Sequence, residues 1–388
     1  MTELQMCVPC LLGLEGLLAG ELRHLRLENV AAENGRVRFT GGPEAAVAAN
    51  LWVRTGERVL IELGSFPATS FDQLFEGVKA LPWEDLIPKN GAFPVKGHCL
   101  SSQLMSVPDC QKIIKKAAAE RLKRVYRLQW CPEDGPLYAI RFLLMKDRAA
   151  LYLDTTGAPL YQRGYRPKSV AAPLRETLAA GLVAVAGYRG KGDFADPFCG
   201  SGTLPIEAAL AAKNRAPGLN RDFAAMAWPS FPRRLWEEAK AEARSREFQG
   251  EYRIFASDID PAAVSLAREN ARRAGVEELI SFSVADAADF SRQTERGVLV
   301  TNPPYGKRIS DQKEAEGIYA AFGRAWRSLS PGWELYLLSG HTEFERCFGA
   351  TAEKKRKLYN GMLKCDLFIY GGKAGQKPAR EKREGKKP

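Results

Sequence analysis

The chain has 388 residues, 45% of them apolar and 27% charged, a globular composition too long for one compact domain. Lysine and arginine total 57 against 46 acidic residues, a net charge of +11, and that excess favours a polyanionic partner. The 8 cysteines make no disulfide framework in a chain of this length, and no run of uncharged apolar residues is long enough to span a bilayer.

The first 64 residues read as a small ferredoxin-like α/β unit. Leu11, Leu14, Leu17, Leu18 and Leu22 recur at helical spacing, and Val37 and Phe39 alternate with polar neighbours like a strand. A helix over Glu44–Asn50 and a strand near Val59–Leu63 follow. Cys7 and Cys10 form a Cys-x-x-Cys, but no second pair or His-x-x-x-His completes a zinc site, so no metal is expected. Glu15 interrupts the leucine-rich segment and no basic stretch precedes it, so no signal peptide is expected and the compartment is the cytoplasm.

Residues 65–157 form a second unit, built on a helix from Pro108 to Leu128. That helix carries Lys112, Lys115, Lys116, Arg121, Lys123, Arg124 and Arg127 against the single acid Glu120. Such an excess of one sign points to phosphate contact, because a solvated helix face normally interleaves charges. A hairpin, Leu137–Lys146 and Ala149–Asp154, closes the unit.

From residue 158 to 372 strands and helices alternate, which predicts a doubly wound α/β domain with a largely parallel sheet. A short strand ends at Asp196, and Pro197-Phe198-Cys199-Gly200-Ser201-Gly202-Thr203 forms a glycine-bearing loop into a helix. The loop has no Gly-Lys-Ser/Thr, which excludes a phosphate loop, and lacks the third glycine of a dinucleotide fingerprint. Asp196 would repel a pyrophosphate and attract a cationic aminoacyl group. The second strand ends at Asp258, suited to ribose hydroxyls, and the third at Asp286, suited to an adenine amine. Asp260, just before Pro261, reads as a helix N-cap. An amino-acid end, a ribose and an adenine together describe S-adenosylmethionine.

The fourth strand, Val298–Val300, runs into Asn302-Pro303-Pro304-Tyr305. Two prolines stiffen this turn. The Asn302 side-chain oxygen and the Pro303 carbonyl can both accept from an exocyclic NH2, and Tyr305 offers a face for base stacking. Such a site methylates an amine by positioning and electrostatics, without a strong base. His24, His98 and His341 match no motif and read as structural. The roughly 40 residues after the loop helix include Phe223, Trp228, Phe231 and Trp236. They either cover a target base or pack as an added helix. Residues 373–388, with seven basic and two acidic side chains, read as a disordered basic tail.

These motifs resemble the bacterial 23S rRNA guanine-N2 methyltransferase family. They are Arg163-Gly-Tyr165-Arg166, Ala172-Pro173-Leu-Arg-Glu176, Asp196-Pro-Phe-Cys-Gly-Ser-Gly-Thr203, Ala216-Pro-Gly218, Ser257-Asp258-Ile259-Asp260 and Asn302-Pro-Pro-Tyr305. Ser102 to Asp109 is similar to the stretch before the basic helix of a THUMP domain. The resemblance implies a Rossmann-like class I methyltransferase domain preceded by ferredoxin-like and THUMP domains, with S-adenosylmethionine as cofactor and RNA as partner. It further implies that Arg163, Tyr165 and Pro173 line the cofactor entrance, and that Asp196, Phe198, Gly200, Gly202 and Thr203 hold the methionine end. Asp258 would take the ribose, Asp286 the adenine and Asn302–Tyr305 the target amine, with Ile259 and Ala287 also among the cofactor-binding residues. Lys112, Lys115, Lys116, Lys123 and Arg124 would bind RNA. Some members carry a second methyltransferase domain that this sequence lacks, so a single methylation is expected. Three other readings remain: a tRNA guanine-N2 enzyme, an adenine-N6 enzyme, and a non-catalytic RNA-binding assembly factor.

Overall fold

The computed structural model describes residues 3–166, 174–305, 309–361 and 363–371. The chain divides into two units, and neither is one continuous stretch. The first takes the described residues up to Cys10, then Leu18–Leu160 and Pro217–Ser245. The second takes Leu11–Leu17, Tyr161–Ala216 and the described residues from Arg246 onward.

The elements run β1 (Leu4–Pro9), α1 (Glu15–His24), β2 (Glu28–Glu33), β3 (Arg36–Gly41), α2 (Pro43–Trp52), β4 (Leu60–Pro67), α3 (Phe71–Ala80), β5 (Val95–Leu100), α4 (Val107–Tyr126), β6 (Ile140–Met145) and β7 (Arg148–Asp154). They continue with α5 (Glu176–Val185), β8 (Asp193–Asp196), α6 (Thr203–Ala212), α7 (Arg233–Ser245), β9 (Arg253–Asp258), α8 (Pro261–Ala274), β10 (Ile280–Val284) and β11 (Arg296–Thr301). The last are α9 (Ile309–Arg327), β12 (Gly332–Ser339), α10 (Phe344–Phe348), β13 (Lys354–Asn360) and β14 (Leu363–Tyr370). No described helix is long and apolar enough to cross a membrane.

In the first unit, seven strands form one sheet in the order β2-β3-β1-β4-β7-β6-β5. The two expected N-terminal domains therefore share a sheet, joined where β4 pairs antiparallel with both β1 and β7. Helix α4 shows why its sequence is helical. Ser106 caps it by accepting from the Asp109 N–H, Pro108 sits in its first turn, and Arg127 ends it in the left-handed conformation. Its buried stripe is Cys110, Ile114, Ala117, Ala118 and Leu122.

The expected domain limits differ from these units. Residues 217–245 fall in the first unit, not in the methyltransferase domain expected from 158 to 372. The physical reason is apolar surface: Phe223, Trp228, Phe231 and Trp236 are all buried in the first unit's core. Trp228 stacks on Tyr138 with centroids 4.4 Å apart and donates its indole N–H to the Leu137 carbonyl at 2.8 Å. The four aromatics of the insertion are thus packing residues, and the alternative of a cover for the target base is set aside. The expected tail, 373–388, lies outside the described residues.

The second unit's sheet has the order β10-β9-β8-β11-β12-β14-β13. Strands β8 to β12 are mutually parallel, and β14 runs antiparallel to both β12 and β13. The strand order reverses between β8 and β11, which opens a crevice at their carboxyl ends. Helix α8 is capped as expected, with Asp260 accepting from the Ala262 N–H and Gly275 ending it at φ +73°.

Candidate active site

Neighbouring strands β8 and β11 bring Asp196 and Thr301 together at the switch point. Asp196 is 2% exposed and accepts from the Thr301 hydroxyl at 2.7 Å and from the Phe198 N–H at 3.2 Å. Burial, with a smaller push from Asp258, raises its carboxyl to about 7. The loop that follows uses its glycines differently. Gly200, at φ +50°, has open space where a Cβ would sit, and its N–H donates to Asp258 at 2.9 Å. Gly202, at φ +81°, would drive a Cβ to 2.9 Å from the Cβ of Ala267, so it is glycine to let α6 close on α8.

Asp258 accepts a second backbone N–H, from Asp260, at 3.1 Å. A carboxylate has about four lone-pair sites, so these two bonds orient it without exhausting it. Next to it Ile259 is 66% exposed, an apolar platform at the strand end. Asp286 caps the short turn over Ala287–Asp289 by accepting from the Ala288 N–H at 2.8 Å.

Two cavities meet here. One, of about 450 Å³, is lined by Asp196, Phe198, Gly200, Ser201, Thr203 and Leu204 among others, and reaches Asp260 and Asn302. The other, of about 920 Å³, is lined by Asn302, Pro303, Pro304 and Tyr305 among others. Asn302 lines both. Its side-chain oxygen accepts from the Tyr305 hydroxyl. The Pro304 carbonyl accepts from the Tyr319 hydroxyl of α9 at 2.6 Å. The proline turn is therefore held from two directions, and burial pushes the Tyr305 hydroxyl above its ordinary range.

Other expected residues sit elsewhere. Arg163 and Tyr165 are buried and line neither cavity. Both bond Glu207, Arg163 through Nε at 2.8 Å and Tyr165 through its hydroxyl at 3.0 Å. Arg166 grips both oxygens of Glu176 and donates to the Thr203 hydroxyl at 3.2 Å. Pro173 lies outside the described residues.

The larger cavity also has walls that motif reading missed. His341, read as structural, lines it together with Glu316 and Asn360. The His341 Nδ1 accepts from the Glu343 N–H at 3.2 Å, and Nε2 lies 3.6 Å from Glu316. Asn360 and Leu363 belong to the β13–β14 hairpin, and no pattern of site residues announces it.

The model of the RMKL-like methyltransferase domain family matches residues 163–369. The chain belongs to this family. The models of the RlmL ferredoxin-like domain and the THUMP domain match residues 5–60 and 68–154. The chain is 43% identical over 380 residues to a Bacillus subtilis (strain 168) protein named Putative RNA methyltransferase YpsC, covering 96% of this chain and 97% of the relative. It is 36% identical over 374 residues to the Ribosomal RNA large subunit methyltransferase K/L of Psychromonas ingrahamii, but spans only 49% of that protein. The crystal structure of SMU.472 complexed with SAH superimposes with a TM-score of 0.91 at 38% identity, covering 96% of this chain and 99% of that one. The chain is an S-adenosylmethionine-dependent methyltransferase. The smaller cavity holds the open glycine and the buried acid that suit the cofactor's amino-acid end, while Asp258, Ile259 and Asp286 line neither cavity.

The basic helix α4 of this RMKL-like chain is partly engaged internally. Lys115 donates to both oxygens of Glu133 and lies 3.6 Å from the Phe93 ring centroid. Arg121 is paired with Glu84. Lys112, Lys116 and Arg124 are exposed and Lys123 is half-buried. Lys112 makes only an exposed contact to Asp109 at 3.6 Å. The free charge of the helix is smaller than its sequence suggests, because acids from other elements meet it.

Proposed function

We propose that this chain transfers a methyl group from S-adenosylmethionine to the exocyclic N2 amine of a guanine in 23S rRNA, in the cytoplasm. The observation that carries the reading is Asn302, which borders the smaller cavity and the larger one at once. The THUMP match, the net charge of +11 and the relatives' names support RNA as substrate.

When bound, S-adenosylmethionine supplies a methyl group on a sulfonium. Asp196 would hold the cationic amino-acid end, and the open face of Gly200 would let it approach the backbone. Asp258 would accept from the ribose hydroxyls and Asp286 from the adenine amine. The Asn302 amide oxygen has two lone pairs, so it can accept from Tyr305 and from the target amine together. The Tyr305 bond fixes which way the amide faces. Asn302 and the Pro303 carbonyl then draw the amine's hydrogens to one side and aim its lone pair along the transfer line. The amine becomes acidic once methylated, so its proton can leave to water and no strong base is needed. A base must leave its stack to reach such a crevice.

The test is transfer of labelled methyl groups to RNA from a strain lacking this protein, with nucleoside mass spectrometry on separated 23S, 16S and tRNA. N2-methylguanosine in 23S alone is expected. The same nucleoside in tRNA would move the substrate, and N6-methyladenosine would overturn the target base. Cofactor binding without transfer would favour a binding role over catalysis.

A further inference from the structure

We propose that strand β13 is the track on which the RNA strand flanking the target nucleotide lies. The inference rests on the RNA-methyltransferase reading above and adds a contact surface to it. Four consecutive residues, Lys354, Lys355, Arg356 and Lys357, are all exposed. Strand β13 is at the edge of its sheet, bonded only to β14. The four side chains are therefore open to a ligand, although the segment around Gly13 comes close to the strand's backbone at Lys357.

The facing acids leave most of this charge free. Lys355 pairs with Glu345 and lies over the Phe368 ring. Asp366 is the register partner of Lys357 on β14, but the two form no ion pair. Among the described residues, Lys354, Arg356 and Lys357 have no acidic partner within salt-bridge distance. Contrast α8, where Arg272 and Arg273 bond Glu277 and Glu269.

Continuity with the larger cavity gives the surface its direction. The strand ends at Asn360, and Asn360, Gly361 and Leu363 line the same cavity as Asn302–Tyr305. On the paired strand β14, Cys365 Sγ lies 3.9 Å from the Tyr305 hydroxyl, joining the hairpin to the proline turn. At about 3.3 Å per residue, Lys357 lies about 10 Å and Lys354 about 20 Å along the strand from Asn360. A nucleotide whose base enters the cavity leaves its neighbouring phosphates outside, and this run of cations meets them as they recede. Charges on an edge strand also deter pairing with other chains, and that role alone predicts no effect on RNA affinity.

The test compares the full chain with K354Q/R356Q/K357Q, which keeps long polar side chains while removing the charge. Binding to 23S rRNA from the strain lacking the protein is followed across a salt series, alongside SAH affinity. The slope of log affinity against log salt should shrink by about 2, since each phosphate contact on a single strand contributes about 0.7. SAH affinity should stay within about twofold, as should kcat at saturating RNA, while KM for RNA rises. The charge-keeping variant K354R/R356K/K357R should restore the slope, and R272Q/R273Q should leave it as in the parent chain. An unchanged slope in the triple glutamine variant overturns the track, as does a lost slope that K354R/R356K/K357R fails to restore. If the parent chain itself binds 23S rRNA without salt dependence and methylates none of it, the functional reading has failed instead.

Discussion

The Thr301 hydroxyl donates a 2.7 Å hydrogen bond to Oδ1 of Asp196, tying together the ends of two neighbouring strands. One strand delivers the glycine loop and the other the Asn-Pro-Pro-Tyr turn. The pair couples the buried acid at the end of β8 to the residue directly before Asn302.

If Asp196 holds the cofactor's amino-acid end, as proposed, cofactor binding should depend on pH. Asp196 moves from 3.8 to about 7 on burial. Between those values the folded, cofactor-free chain holds a proton that the unfolded chain has released, so its stability declines as pH rises through that window. Cofactor affinity should run the opposite way, because the carboxylate attracts the cationic amino-acid end. Calorimetric titration with SAH from roughly pH 5.5 to 8.5 should show binding strengthening through about pH 7. Asp196→Asn should flatten the profile, and a parent profile already flat would detach Asp196 from the cofactor.

Asn302→Ala should separate chemistry from binding. Turnover should fall by about 100-fold or more, the scale set by removing one positioned hydrogen-bonding group from a transition state. SAH affinity should change by only a few-fold, since Asp196, Gly200 and Asp258 remain. Equal loss of both in kinetics and calorimetry would make Asn302 a structural residue.

The Arg163–Glu207 pair is almost wholly removed from solvent, with side-chain exposures of 2% and 0%. Glu207→Ala takes its carboxylate from a buried guanidinium and should cost about 3–5 kcal/mol in urea unfolding, whereas the double change R163M/E207L should cost much less. Similar losses in single and double variants would argue that the ions are not coupled.

Trp228→Ala should destabilise the first unit by about 3–5 kcal/mol while leaving SAH affinity unchanged. Urea unfolding followed by tryptophan fluorescence measures the first effect. A stable variant that lost only turnover would return the insertion to the role of a base cover.

Lys115→Gln should reduce stability, because Glu133 loses its partner, and leave the salt dependence of RNA binding intact. Lys116→Gln with Arg124→Gln should flatten that dependence. The reverse pattern would restore Lys115 as an RNA ligand.

The parallel sheet and its two end motifs were legible because each is local. Asp196 with its glycine loop, and Asn302 with its prolines, are contiguous in sequence and fall at strand ends. Asp260 was legible as a cap for the same reason. What escaped depends on distant partners. The Glu133 that neutralises Lys115 lies 18 residues away, and the Glu207 that buries Arg163 lies 44 away. His341 reaches the cavity only because β12 lies beside β11. The basic run Lys354–Lys357 was visible as letters, but its exposure and its route to the cavity belong to the hairpin.

Because Pro217–Ser245 belongs to the first unit, that unit's core is assembled from chain that flanks the cofactor loop. During synthesis the sheet of the first unit can be fully translated by Asp154. Its core must still wait for Trp228, Phe231 and Trp236, which emerge after Gly200 and Gly202. A fragment ending at Leu160 would expose the surface those rings cover and should be prone to aggregate. Ribosome-bound chains should gain protease resistance in the first unit only after Ser245 has left the exit tunnel. The first unit's sequence begins first, yet its core is complete only after the glycine loop of the second unit has been made.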